Sequence, residues 1–231
     1  MSSASNFSRQ DSRLNVLPTE QEVFQFTANL ITEIIQTASS SRPKCNVIIA
    51  AGRSICKTLE CLSPESTDWQ RVNWFLADER SVDGDSDQRN DRQLREVLLK
   101  TIGGKYGTVT SPRADINVGE AVKDYASRIS AISMFDFCLL GMGDDGHIAS
   151  LFPGHPALLS NDSCYLITDS PNLPRTRISL GMKTLCNTKN RIVVTTGASK
   201  NKAVREFALN PQTPIRLFEP TSIILDQAAA K

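Results

Sequence analysis

A short segment, residues 141–147, combines glycines, carboxylates and a histidine directly after an apolar run. Its three glycines, Gly143 among them, permit positive φ angles and let the backbone approach a ligand closely. Asp145 precedes His147, which is one of only two histidines in the chain. An imidazole transfers protons near neutral pH, and the N–H groups of such a loop can bind an anion or a developing oxyanion. The segment therefore predicts a site of proton transfer in which His147 carries the proton.

A second polar cluster, formed by Asp78, Glu79 and Arg80, follows the largely apolar residues 72–77. Charged residues at a strand end often form no more than a solvated rim. Here Asp78 comes directly after the apolar run, which places it at the mouth of a sheet. An arginine in that position can grip a phosphate through two parallel hydrogen bonds, each contributing about 1.5–3 kcal/mol. We therefore expect Asp78 and Arg80, more than Glu79, to face a bound substrate.

A third segment, residues 51–54, joins an apolar run to the start of a helical pattern. The first turn of a helix has unpaired N–H groups and a partial positive charge, which suit a phosphate. Gly52, Arg53 and Ser54 are therefore candidate phosphate-binding residues. An ordinary strand-to-helix turn with Ser54 as its N-cap fits the same residues equally well, and the two interpretations are compatible.

The order of elements along the chain indicates how these segments meet. Short apolar runs alternate with stretches of helical periodicity, which predicts an α/β fold: a mostly parallel sheet with helices on both faces. Ligands bind beyond the carboxyl ends of parallel strands, and because all three polar segments fall there, we expect one shared site. The predicted strands span 46–51, 72–77, 135–140, 191–197 and 222–225. The predicted helices span 20–39, 90–101, 119–132, 199–209 and 226–230, with a further helix directly after residues 52–54.

The chain contains no internal repeat and no long linker. Residues 18–231 are therefore predicted to form a single domain, preceded by a flexible N-terminus at residues 1–17. The Ser-rich start lacks the apolar core of a signal peptide, which favours a cytoplasmic protein. The oligomeric state is left open between a monomer and a small homo-oligomer.

Composition narrows the class of partner. The 26 basic residues nearly cancel the 25 acidic ones without forming a basic block, which argues against nucleic acid, and no apolar run approaches the ~20 residues that span a bilayer. The six cysteines form no C-x-x-C pair, so we interpret them as buried apolar side chains rather than as metal ligands or disulfides. His155, between two prolines and a glycine, is interpreted as a turn residue. The expected partner is a small anion, with no metal and no cofactor.

Taken together, these residues resemble the 6-phosphogluconolactonase family. Residues 140–154 (LGMGDDGHIASLFPG) closely match the family's signature, with isoleucine at position 148 where threonine is usual. Residues 74–80, 168–180 and 194–198 resemble further family segments, so the likeness spans nearly the whole chain from about Pro18. The resemblance implies a Rossmann-type fold shared with glucosamine-6-phosphate deaminase and ribose-5-phosphate isomerase. It also implies metal-independent hydrolysis of 6-phospho-D-glucono-1,5-lactone in the oxidative pentose phosphate pathway.

Two positions depart from the family pattern. The family's phosphate loop reads Ser-Gly-Gly-Ser, and here Arg53 replaces one glycine, where it either narrows the pocket or adds a cation. Asn172 stands where the family has a lysine, although Arg175 and Arg177 lie close by in sequence. We therefore expect Arg177 and Arg80 to supply the charge that the phosphate requires.

For such a lactone we expect a mechanism in which neutral His147 takes a proton from water as it attacks C1 and later returns it to the ring oxygen. Either Asp145 or Asp78 orients the imidazole, and either loop N–H groups or Arg80 stabilise the oxyanion. Two other functions remain open. One is an amino-sugar-phosphate deaminase or isomerase of the same fold, and the other is a sugar-phosphate-binding protein without catalysis.

Overall fold

A computed structural model describes residues 12–231, and within them a seven-stranded, all-parallel sheet lies beside a small antiparallel sheet of three strands. The strands are β1 (Leu14–Leu17), β2 (Cys45–Ile49), β3 (Val72–Leu76), β4 (Asp78–Arg80), β5 (Thr108–Thr110), β6 (Phe135–Gly141), β7 (Cys164–Ile167), β8 (Arg177–Leu180), β9 (Thr188–Thr195) and β10 (Ser222–Asp226). The helices are α1 (Glu20–Ser41), α2 (Arg53–Leu59), α3 (Asn90–Ile102), α4 (Val118–Ser130), α5 (Met182–Cys186), α6 (Asn201–Leu209), α7 (Pro214–Phe218) and α8 (Gln227–Ala230). The large sheet has the order β1-β10-β9-β6-β2-β3-β5, and the small sheet has the order β4-β8-β7.

The central strands are buried on both faces. Every residue of β6 except Gly141 is buried, and β2 and β3 each have a single half-buried position. A parallel strand shows this nearly continuous apolar pattern when helices cover both sides of its sheet. The predicted α/β fold, with a mostly parallel sheet, is confirmed. The five predicted strands and six predicted helices are present, within a few residues of their bounds wherever bounds were predicted.

The residues at the start of helix α1 determine where Glu20 lies relative to the site. Thr19 caps it in a capping box, accepting the Glu22 N–H while the Glu22 carboxylate accepts the Thr19 N–H. One face packs into the core, and the helix ends at Ser41, slightly later than predicted. Because the cap fixes where α1 begins, Glu20 lies in the first turn, within reach of Arg53.

The N-terminal boundary predicted at residue 18 is wrong. Leu14–Leu17 form β1, which pairs in parallel with β10 at the edge of the large sheet. These four residues are each half-buried and follow a polar stretch, so no apolar run marks them as a strand. Residues 1–11 of the predicted flexible N-terminus lie outside the described residues.

The small sheet was not predicted, and it changes the description of residues 78–80. The sequence predicts them as the end of the strand before them, whereas the chain leaves the large sheet at Ala77 and continues as β4, antiparallel to β8. Ala77 joins the two sheets, since its N–H donates to Ile49 O and its carbonyl accepts from Leu180 N. A three-residue charged strand has no alternation from which a sequence pattern could identify it.

No helix among residues 12–231 is long and apolar enough to cross a membrane. All six cysteines are free thiols, three of them buried and three partly buried.

Candidate active site

A cavity of about 390 Å³ opens at the carboxyl ends of the parallel strands β2, β3, β6 and β9. This is the edge at which the sequence predicts the site. Eight of the nine predicted site residues line it: Gly52, Arg53, Ser54, Asp78, Arg80, Gly143, His147 and Arg177. The ninth, Asp145, contacts the ring of His147.

The carboxylate that contacts His147 is that of Asp145. Asp145 Oδ1 lies 2.5 Å from His147 Nδ1 and also accepts the His147 N–H at 3.2 Å. The hydrogen bond from the imidazole lowers the pKa of Asp145 below its ordinary value, against the opposing effect of burial. With Nδ1 donating to a carboxylate, Nε2 is the nitrogen that can accept a proton, and His147 lines the cavity. Of the two orienting carboxylates left open by the sequence, the geometry selects Asp145.

The His147 ring is also held by packing. Its centroid lies 4.7 Å from that of Phe152, with the two planes tilted by 45°. Its side chain is 21% exposed, so the imidazole is partly desolvated but open to the cavity. Two contacts, one polar and one apolar, therefore set its orientation before any ligand is bound.

The absence of a side chain at Gly143 leaves room for the His147 ring and the Asp145 carboxylate. A Cβ at this position would lie 2.2 Å from His147 Nδ1 and 2.7 Å from Asp145 Oδ1. Its N–H donates to His147 O at 2.9 Å, and Gly146 N–H donates to Gly143 O at 3.0 Å. Together with the His147 N–H, three loop donors are thus used within the loop. Of the loop N–H groups predicted to bind the anion or oxyanion, these three are already hydrogen-bonded within the tight turn that presents His147.

Asp78 is buried and lines the same cavity. It accepts a 2.6 Å hydrogen bond from the Ser150 hydroxyl, so its contact in this structure is with Ser150 rather than with His147. Ser150 follows Ala149, a cavity-lining residue with a φ of 49°. Asp78 therefore ties the small sheet to the segment that follows the His147 loop.

Arg80 reaches the cavity with part of its guanidinium unpaired. Its Nη1 donates to Gln88 O at 2.8 Å, while its buried Nε has no hydrogen-bond partner among the described residues. A buried N–H without an acceptor is unfavourable by about 1–3 kcal/mol, which an anion at this edge of the guanidinium would offset. The geometry thus suits the predicted anion-binding role.

Glu79 has a structural position. It is 1% exposed and accepts hydrogen bonds from the N–H groups of Arg80, Asn90 and Asp91, the last two in the first turn of α3. Burial raises the pKa of Glu79 to about 7, although Arg89, 3.3 Å away, acts in the opposite direction. Glu79 therefore holds the start of α3 and the backbone of Arg80, as expected from its lower ranking as a substrate contact.

Arg53 turns toward α1 rather than across the cavity. Its Nη2 lies 2.9 and 2.7 Å from the two carboxylate oxygens of Glu20, and Nη1 is 3.4 Å from Thr196 Oγ1. Gly52, with a φ of 120°, is the N-cap of α2 and has no side-chain cap. The alternative in which Ser54 caps the helix is therefore wrong, since Ser54 lies within the first turn. Gly52 adopts a backbone conformation that other residues rarely tolerate.

The Arg177 guanidinium donates hydrogen bonds to backbone carbonyls of the segment just before it. Its Nε donates to Pro174 O at 3.0 Å and its Nη2 to Asn172 O at 3.1 Å. Burial lowers the pKa of Arg177 below its ordinary value, and Asp78 opposes that effect. The backbone of Asn172, the residue that stands in place of the family's lysine, is thus part of the bonding that holds Arg177 at the cavity wall.

Four further cavity-lining polar residues were not predicted as site residues: Asn90, Thr196, Ser199 and Lys200. Lys200 is the most consequential because it adds a cation, paired with Asp144 at 2.6 Å. A glycine at the end of the predicted strand 191–197, followed three residues later by a lysine at a helix start, is the signal that could have identified it. Within residues 12–231 no group of three or more histidine, cysteine or acidic side chains is arranged to hold a metal ion.

Comparison with known proteins extends these observations. The family model for glucosamine-6-phosphate isomerases/6-phosphogluconolactonase matches residues 18–228. A probable 6-phosphogluconolactonase 2 of Oryza sativa subsp. indica is 28% identical, over 96% of this chain and 90% of that protein. The crystal structure of a 6-phosphogluconolactonase from Shewanella baltica OS155 matches with a TM-score of 0.83 and 27% identity, over 94% of this chain and 97% of that one.

A monomeric glucosamine-6-phosphate deaminase matches with a TM-score of 0.82, over 94% of this chain and 98% of that one. Its identity is only 18%, so this likeness shows the fold alone. The two activities share one architecture, and the fold does not separate them. What the match of the family model over residues 18–228 shows is that the chain belongs to the glucosamine-6-phosphate isomerase/6-phosphogluconolactonase family.

Proposed function

We propose that this chain hydrolyses 6-phospho-D-glucono-1,5-lactone to 6-phosphogluconate, a step of the oxidative pentose phosphate pathway. The curated relative and the solved structure that match over nearly their whole lengths are named as 6-phosphogluconolactonases. The observation that carries the proposal is the Asp145–His147 pair, whose free imidazole nitrogen belongs to a cavity lined by cationic side chains. A proton acceptor beside several cations suits a neutral ester that carries a phosphate.

In the proposed mechanism, His147 Nε2 takes a proton from water as its oxygen attacks C1 of the lactone. The carbonyl bond opens to a tetrahedral oxyanion, and Asp145 stabilises the imidazolium through Nδ1. The oxyanion then reforms the carbonyl as the bond from C1 to the ring oxygen breaks, and the imidazolium returns its proton to that oxygen. The product is an open-chain acid, and His147 is neutral again. No residue of the chain is acylated.

The phosphate and the oxyanion both require donors, and Arg80 has an unpaired edge available for one of them. We assign Arg80 to the phosphate because a guanidinium fork matches phosphate geometry. Arg177 and Lys200 also line the cavity and add positive charge. Arg53, paired with Glu20, contributes at the rim.

The decisive experiment is an assay of hydrolysis on freshly generated 6-phosphogluconolactone, with the spontaneous rate subtracted. Turnover that greatly exceeds the spontaneous rate is expected. A parallel assay for ammonia release from glucosamine 6-phosphate tests the deaminase alternative that the shared fold leaves open. Binding of either compound without turnover would instead support the sugar-phosphate-binding alternative.

We further propose that the enzyme is cytoplasmic, acts as a monomer or small homo-oligomer, and needs no metal. Its substrate is a soluble metabolite, and the proposed chemistry uses only side chains that the cavity supplies. Dialysis against a chelator should leave turnover unchanged. Loss of activity on dialysis, with recovery on adding a divalent cation, would contradict the metal-independent mechanism.

A further inference from the structure

The cationic side chains of the cavity already have bonding partners in this structure. Four cationic side chains line the cavity within the described residues: Arg53, Arg80, Arg177 and Lys200. Two of them bond to backbone carbonyls and one to Glu20 of α1. Lys200 differs from these three because its partner, Asp144, belongs to the loop that carries His147.

The Lys200–Asp144 pair has a specific geometry. Lys200 Nζ lies 2.6 Å from Asp144 Oδ1, and the Ser199 hydroxyl donates to the same oxygen at 3.0 Å. The lysine side chain is 19% exposed, whereas the carboxylate is 65% exposed. The ammonium therefore lies at the cavity wall and its counterion lies mostly in water.

Lys200 can readily exchange Asp144 for another anion. Solvent screens an exposed carboxylate, so its ion pair adds little stability. A sugar phosphate in the cavity carries up to two negative charges and several acceptor oxygens in a less hydrated setting. A lysine ammonium is a compact charge on a flexible stem and can change partners without reorganising the backbone.

We propose that Asp144 is the resting counterion of Lys200 and that the phosphate group of the substrate displaces it. The inference rests on the proposed function only in requiring a phosphorylated substrate. Asp144 is then a positioning residue that acts through Lys200: it holds the ammonium at the cavity wall and competes with any anion that enters. The competition lowers the affinity for phosphate and so favours release of the phosphorylated product.

Asp144→Asn tests this directly, because it removes the competing charge and keeps the side-chain shape. The dissociation constants of inorganic phosphate and of 6-phosphogluconate, measured by calorimetry, should each fall about 2–5-fold, the range expected for losing one exposed ion pair. The KM for the phosphorylated lactone should fall by a similar factor with kcat unchanged. Neither constant should change for unphosphorylated gluconolactone.

Two further variants sharpen the test. Glu60→Gln removes the same charge from an exposed glutamate that is paired with Lys57, and should leave anion affinity unchanged. Lys200→Met should weaken anion binding, and Asp144→Asn should have no effect in that background if it acts through Lys200. Unchanged unfolding temperatures establish that the variants are folded.

Several outcomes would overturn the proposal. Asp144→Asn could leave anion affinity unchanged or weaken it, or its gain could persist without Lys200. A loss of kcat on both lactones would assign Asp144 to orienting the His147 loop instead. The anion titration does not depend on turnover, so a chain that binds phosphate more tightly as Asp144→Asn but hydrolyses no lactone would refute the proposed function and keep this inference.

Discussion

The imidazole of His147 occupies the space that a side chain at Gly143 would need. A Cβ on Gly143 would lie 2.2 Å from both Nδ1 and Cε1 of the ring, and the backbones of the two residues are joined by a 2.9 Å hydrogen bond. The glycine at this position is thus required by the place of the His147 ring rather than by a positive φ.

Gly143→Ala should therefore displace the His147 ring and break its bond to Asp145. We expect kcat to fall by about 10²-fold or more, since a general base acts only at hydrogen-bond distance from its proton. The loss in unfolding temperature should be small, because the ring can move toward the cavity. Gly104→Ala is the matched control: a Cβ there meets nothing within 4 Å, and activity should be retained. Equal activities in the two variants would show that the loop adapts without cost to His147.

His147→Ala removes the proposed base itself. We expect kcat to fall by about 10²–10⁴-fold, the usual contribution of general acid–base catalysis, while the fold persists because the residue lies on a loop. A folded variant with nearly wild-type turnover would remove His147 from the mechanism.

The convergence of these residues was predictable because parallel strands end at one edge of their sheet. The segments around Gly52, Asp78 and His147 follow three different strands, and the topology brings them to one cavity. The contact between Asp145 and His147 could also be anticipated from the sequence, because the two residues are only two positions apart in one loop.

Contacts between distant segments could not be predicted in the same way. The partner of Arg53 is Glu20, which depends on where a capping box starts α1. The pairing of Lys200 with Asp144 joins two loops 56 residues apart. The small sheet depends on β4 meeting a strand almost a hundred residues later, and short polar strands have no periodicity that reveals such pairing.

Glu79 should make stability depend on pH. Burial raises its pKa from an ordinary value of 4.5 to about 7, so between these values the folded state holds more protons than the unfolded state. The contribution of Glu79 to the free energy of unfolding is therefore fully present below about 4.5 and is lost as pH rises through 7. Urea unfolding from pH 5 to pH 8 should show a shallower decline for Glu79→Gln than for the wild type. Parallel slopes would mean that Glu79 stays ionised throughout, held by Arg89 and its three N–H donors.

Substitution of Arg80 can distinguish whether its guanidinium binds the substrate phosphate or the oxyanion. A contact with the phosphate exists in both the ground state and the transition state, so its loss raises KM with little change in kcat, whereas an oxyanion contact would lower kcat. We expect the phosphate role, because Nη1 is held by Gln88 and the remaining guanidinium edge, with its unpaired Nε, matches a tetrahedral anion.

Arg80→Ala should therefore reduce kcat/KM for the phosphorylated lactone by about 1.5–3 kcal/mol, mostly through KM. The same substitution should matter much less for unphosphorylated gluconolactone, which has no group for the guanidinium to bind. Arg53→Ala is a useful comparison because Glu20 already pairs with that side chain at the rim, and its loss should have the smaller effect. Equal losses on the two lactones would move Arg80 from the phosphate to the reacting carbonyl, where it would stabilise the oxyanion that the loop N–H groups of Gly143, Gly146 and His147 are not free to bind.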